Sequence, residues 1–175
     1  MLEQRLKGCT RFEDAVGTIL RDVVALHGAE FGNVQLVAGD SLLLVDERGL
    51  EIPFLIAFRE VRKSDGCACA RAWRSKAAVI VEDVQDDEAY TEFIEVAQEA
   101  GYRSVQSTPL IASDGTFVGM VSTLFANMHK PSRIEMETVQ AYSRLAADHL
   151  QKVSADKNLD DRARTLHQKL YAQLH

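Results

Sequence analysis

Two short turn segments constrain this chain most. Ala38-Gly39-Asp40 separates apolar runs at 31–37 and 41–46, and Ser113-Asp114-Gly115 separates runs at 102–111 and 116–125. Gly and Asp supply the tight reversals that hairpins need, so each pair of runs is read as two antiparallel strands. Residues 77–84, with Val79-Ile80-Val81 at their centre, add another strand. Paired strands with helices inserted between the pairs predict a largely antiparallel sheet in an α/β (α+β) fold.

Helical periodicity flanks the strands. Across 11–27, Phe12, Val16, Ile19, Val23 and Leu26 form one stripe, and Gly28 supplies a stop. Pro53 opens a short helix carrying Phe54, Leu55, Phe58 and Val61 through Arg62, and the small residues of 67–73 read as a second one. An acidic helix is expected over 87–100, ended by Gly101. Pro131 and Ser132 start a long closing helix with Met136, Val139, Ser143, Ala146, Leu150 and Val153 in line, widened by Tyr142, Leu145 and His149. Beyond it, Leu159, Ala163, Leu166 and Leu170 resume the pattern in a shifted register. With no sheet left to cover, this tail is expected to pair with a helix of a second copy.

The chain has 175 residues, 46% of them hydrophobic, which suits one core. We divide it into a domain at 1–153 and a helical extension at 154–175. Its net charge of −6 disfavours nucleic acid and anionic lipid as partners, and the one basic stretch, 59–63, is broken by Glu60. The charged N-terminal residues lack the apolar run of a signal peptide, and the longest apolar run, 52–58, is far short of the roughly 20 residues of a membrane span. Cys9, Cys67 and Cys69 cannot all pair within one chain, so a reducing, cytoplasmic setting is expected. The five histidines lack metal-ligand spacing, and neither a metal nor a cofactor is expected.

Several separated motifs carry a resemblance: Glu30-Phe31-Gly32-Asn33-Val34-Gln35-Leu36, then Gly66-Cys67-Ala68-Cys69-Ala70-Arg71-Ala72, Val81-Glu82-Asp83-Val84, Gly101 to Leu110, and Gly119-Met120-Val121-Ser122-Thr123. In this order and spacing they resemble GAF domains of bacterial sensory proteins, over about Phe12 to Leu150. The resemblance implies a central antiparallel sheet of five to six strands. Terminal signalling helices would lie on one face, and a pocket roofed by short helices and loops on the other. It leaves the ligand open, because one fold serves many ligands or none. The Asn-Lys-Phe-Asp-Glu signature of cyclic-nucleotide binders is absent, as is a Cys-His pair of the bilin type.

On that resemblance, Phe54, Phe58, Trp73, Tyr90 and Phe93 would roof the pocket, with plain core packing as the alternative reading. Arg103 and Gln106 lie on a bordering strand, and alternation allows at most one to face inward. Cys69 is counted with these pocket residues and is read as a buried structural thiol. Two residues apart on a helix, Cys67 and Cys69 would point about 200° apart and could not pair. The acidic cluster Asp83, Asp86, Asp87 and Glu88 is read as helix capping, with Asp87 as the cap. His149, His167 and His175 are read as surface histidines. Phe12, Val16, Ile19, Val23, Val139, Ala146, Leu150, Leu166 and Leu170 are assigned to dimeric signalling helices. The expected function is a non-catalytic sensor or adaptor that binds a small molecule or partner and signals as a homodimer to a separate kinase or regulator. The alternative is a thiol-dependent reductase of free methionine-R-sulfoxide.

Overall fold

A computed structural model describes residues 2–154 and 157–174. His175 lies outside the described residues. Six strands form one antiparallel sheet in the order β3-β2-β1-β6-β5-β4. They are β1 (Phe31–Ala38), β2 (Ser41–Arg48), β3 (Glu60–Arg62), β4 (Val79–Val81), β5 (Ser104–Ile111) and β6 (Phe117–Phe125). Both hairpins close at the expected turns, and β1 joins β6 to fuse them into one sheet.

Both faces of the sheet are covered. On one lie α1 (Leu2–Lys7), α2 (Phe12–His27) and α6 (Arg133–Ser154); on the other lie α3 (Ile52–Ala57), α4 (Ala68–Ser75) and α5 (Ile94–Ala100). Side chains alternate between the faces, so Leu43 and Val45 enter the first core while Leu42 and Leu44 enter the second. Two buried faces explain why β2 begins as an unbroken apolar run rather than an alternating one. Gly28 ends α2 in the left-handed conformation, φ 61°, and the Ala29 N–H bonds back to the Val24 carbonyl.

Four expectations are corrected. The helix opened by Pro53 does not reach Arg62: it stops at Ala57, and the chain turns into β3, where Val61 pairs with Leu42 at the sheet edge. The acidic segment is a 3-10 helix (Glu88–Phe93) running into α5, and Asp87 makes no capping bond. Asp83 caps instead, accepting from the Gln85 N–H ahead of the 3-10 turn Val84–Asp86. The surface reading of two histidines also fails. His149 is buried with Nε2 2.8 Å from the Cys9 carbonyl, and half-buried His167 sets Nδ1 2.7 Å from the Leu44 carbonyl.

The fourth correction concerns the helices assigned to a dimer. Phe12, Val16, Ile19, Val23, Val139, Ala146 and Leu150 are at most 3% exposed, all within the core between the helices and the chain's own sheet. An apolar stripe marks the face that is buried, not what buries it. The tail folds back as α7 (Leu159–Ala172), which wraps the β1–β2 side of the sheet. Ala163 and Leu166 pack in the first core, Leu170 and Tyr171 in the second. The Tyr171 hydroxyl donates to the Leu55 carbonyl of α3. The tail thus does have sheet to cover. Among the described residues no helix is long and apolar enough to cross a membrane.

Candidate functional site

The face opposite α2 and α6 holds a small cavity of about 20 Å³, room for about one water. Its floor is the sheet, with Asn33 and Gln35 of β1, Val105 and Ser107 of β5, and Ser122 and Leu124 of β6. Its walls are Phe54 and Phe58, Tyr90, and the start of α4 at Cys67, Ala68 and Cys69. Asn33 and Gln35 are 3% and 1% exposed, and neither Asn33 Oδ1 nor Gln35 Oε1 has a hydrogen-bond partner in the protein. Unpaired buried acceptors are uncommon because each forfeits its bond to water. Ser107 and Ser122 satisfy one another at 2.7 Å.

An aromatic lid closes the cavity. Phe54 stacks on Phe58 at 4.4 Å between ring centroids, Phe58 on Phe93 at 5.1 Å, and Phe54 meets Tyr102 edge-on at 5.9 Å. The Tyr90 and Tyr102 hydroxyls are 2.6 Å apart, and burial pushes both phenols above their ordinary range. Arg71 of α4 reaches Asp87 at 3.1 Å, fastening α4 to the 3-10 segment above it. Gly66 permits that approach: a Cβ there would collide with the Ala89 carbonyl oxygen.

The structure overturns the expectation that the two thiols diverge. Helix α4 begins only at Ala68, and Cys67 is its extended N-cap residue (φ −68°, ψ 163°), so the helical angle between successive side chains does not apply. Cys67 Sγ and Cys69 Sγ stand 3.3 Å apart, both buried. A hydrogen bond from the Cys69 thiol holds the Cys67 thiol below its usual range. The same bond, with burial, pushes Cys69 well above it.

Of the eight residues assigned to the pocket, Phe54, Phe58, Cys69 and Tyr90 line it. Trp73 and Phe93 pack on the same face outside the lining, Trp73 stacked on Phe117 at 5.7 Å. The two strand candidates do not belong to it. Arg103 precedes β5 and pairs with Asp83 at 2.6 Å, 43% exposed. Gln106 shares the parity of Leu110, which faces α2 and α6, and it pairs across the sheet with Thr123, the residue bonded to His27. The floor residues Asn33, Gln35, Ser107 and Ser122 were not singled out, although Asn33 and Gln35 interrupt an otherwise apolar strand. A larger groove of about 370 Å³ lies between Lys76 and Arg144 at the far end of the sheet. Of the two, the smaller cavity gathers two unpaired amide oxygens and two thiols.

A sequence profile of the GAF domain family matches residues 9–151. The methyl sulfide methyltransferase-associated sensor of Methanosarcina acetivorans is 28% identical over 100 residues, 55% of this chain and 10% of that protein. The chain therefore spans about a tenth of that relative's length. Among solved structures, the GAF domain of a phosphoenolpyruvate-protein phosphotransferase from Coxiella burnetii superposes with a TM-score of 0.74 at 14% identity, covering 88% of this chain and 90% of the other. Free methionine-R-sulfoxide reductase from Neisseria meningitidis, in complex with its substrate, superposes at 0.66 and 18% identity over 94% and 86%. At such identities the structures speak for the fold, and the profile over most of the chain speaks for the lineage: this chain belongs to the GAF domain family.

Proposed function

We propose that the chain is a non-catalytic sensory GAF module whose ligand occupies the cavity between β1 and the aromatic lid. The observation that carries this reading is the pair of unpaired amide oxygens, Asn33 Oδ1 and Gln35 Oε1, beneath Phe54, Phe58 and Tyr90. Every lining residue is uncharged. A ligand matched to such a site is small and neutral and donates hydrogen bonds. Binding lifts the lid, and the change passes through α3 and α7 toward the terminal helices and on to a separate kinase or regulator. The relationship to a sensor and the family's place in signalling proteins support this reading.

Its test is a thermal-shift screen of neutral metabolites with native mass spectrometry of the purified chain. A ligand bound only by the folded state raises the melting temperature. Asn33→Leu and Gln35→Leu should abolish the shift while leaving the chain folded. Ligands that stabilise the wild type and both variants equally would refute the assignment of the cavity.

The reductase alternative has one observation in its favour, the 3.3 Å contact between Cys67 and Cys69. Against it stands the lining, which offers no charged group to the ammonium and carboxylate of a free amino acid. The expected outcome is no reduction of free methionine-R-sulfoxide in the presence of a dithiol reductant.

A further inference from the structure

We propose that Cys67 and Cys69 form a peroxide-reactive dithiol, oxidised to an intramolecular disulfide by a small hydroperoxide entering the cavity. The proposal rests on the sensory reading of that cavity and names a chemistry for it. Three observations carry it. The sulfurs are already 3.3 Å apart, so a bond of about 2.05 Å needs only a short approach of the two residues. Both thiols line the same cavity, whose volume of about 20 Å³ admits only an oxidant of very few atoms, and that with some outward movement of the lid. Its two unpaired acceptors, Asn33 Oδ1 and Gln35 Oε1, can hold the hydroxyl hydrogens of a peroxide.

The thiols have distinct roles. Cys67, beside the N-terminal end of α4 and receiving a hydrogen bond from Cys69, is the better thiolate. It attacks the terminal peroxide oxygen; an S–O bond forms, the O–O bond breaks, and the alcohol or water leaves with a proton. Cys69 then attacks the sulfenic sulfur, the S–S bond forms, and the sulfenic oxygen departs as water with the Cys69 proton. Each cysteine contributes one electron to the two-electron reduction. The product bridges a single residue, Ala68, in a small ring that a dithiol reductant reopens.

The reaction reaches the lid because Cys67 follows Gly66, which is pressed against the Ala89 carbonyl, while Arg71 of the same helix holds Asp87. Drawing Cys67 toward Cys69 shifts the segment on which the 3-10 helix Glu88–Phe93 rests.

The experiment treats the full chain with hydrogen peroxide and reads intact mass, free thiols and the digested peptide containing Cys67 and Cys69. The expected result is loss of the mass of two hydrogens, two of three thiols consumed, and reversal by dithiothreitol. Cys9→Ser should behave as wild type. Cys69→Ser should stop at a sulfenic acid on Cys67, trapped by a dimedone-type reagent, and Cys67→Ser should react far more slowly. A bulky hydroperoxide such as cumene hydroperoxide should react at least tenfold more slowly, because it cannot enter. Wild type that keeps its three thiols under excess peroxide, or a bridge that includes Cys9, would overturn the proposal without recourse to the variants. So would equal rates with small and bulky peroxides. Hydrogen exchange separates the two readings. Faster exchange at 88–93 on oxidation joins the chemistry to sensing. A disulfide that leaves exchange unchanged refutes the link between this chemistry and the lid, while failure of the thermal-shift test refutes the sensory reading itself.

Discussion

His27 faces Thr123 with Nδ1 2.7 Å from the hydroxyl, and its Nε2 is buried without a partner. Burial pulls its pKa down to about 4, whereas the unfolded ring titrates near 6.5. Above 6.5 the ring is neutral in both states and its contribution to stability is fully present. Between 6.5 and 4 the unfolded chain takes up the proton first, so stability falls as the pH falls. The loss should be on the order of 2 kcal/mol, below the full value of the shift because solvent screens part of it. Urea denaturation at pH 7 and pH 4.5 checks this, with His27→Gln losing correspondingly less over the same interval. Gly66→Ala acts differently, forcing a methyl group into the Ala89 carbonyl. It should destabilise the chain by roughly 1–3 kcal/mol and speed hydrogen exchange at 88–93. Neither Gly66 nor the thiol pair was legible from periodicity, since their geometry depends on where α4 starts. A one-residue shift of that start takes Cys67 off the helix and beside Cys69.

Hairpins and long helices were legible because each rests on a local cause: a turn residue, a cap or a regular stripe. The floor of the cavity was not. With both faces of the sheet buried, apolar alternation cannot tell one face from the other, and for that reason it leaves open whether Arg103 or Gln106 faces the pocket. Helix α7 was legible as a helix and misplaced as an element, because the stripe of Leu159, Ala163, Leu166 and Leu170 carries no mark of its partner. Its placement predicts a measurable role. Tyr171→Phe removes the hydrogen bond to the Leu55 carbonyl and should lower stability by about 1 kcal/mol. Deleting 157–175 uncovers the Leu44 carbonyl and apolar surface on both faces, and should lower the melting temperature by several degrees or more. Denaturant titration of the variant and calorimetry of the truncated chain are the checks.

A homodimer, if the chain forms one, must use surface that the fold leaves free. On α6 the outward stripe includes Ile134, 76% exposed, and Leu145, 39% exposed, with exposed Ala141 between them. We expect Leu145→Glu to shift a dimer toward monomer in analytical ultracentrifugation while leaving the melting temperature of the monomer within about 1 °C, since exposed substitutions rarely change stability by more than about 0.5 kcal/mol. Val139→Glu, at a buried position of the same helix, should instead unfold the chain. Helix α7 carries one more consequence, through its grip on both faces of the sheet. Because Tyr171 holds the backbone of α3, whose Phe54 walls the cavity, we expect release of the tail and opening of the cavity to be coupled. Thermodynamic reciprocity then makes the C-terminal segment a reporter: an occupant of the cavity that shifts the equilibrium between docked and released tail should alter protease clipping of the tail, and docking of the tail should change the affinity of the cavity by the same factor as the occupant changes that equilibrium.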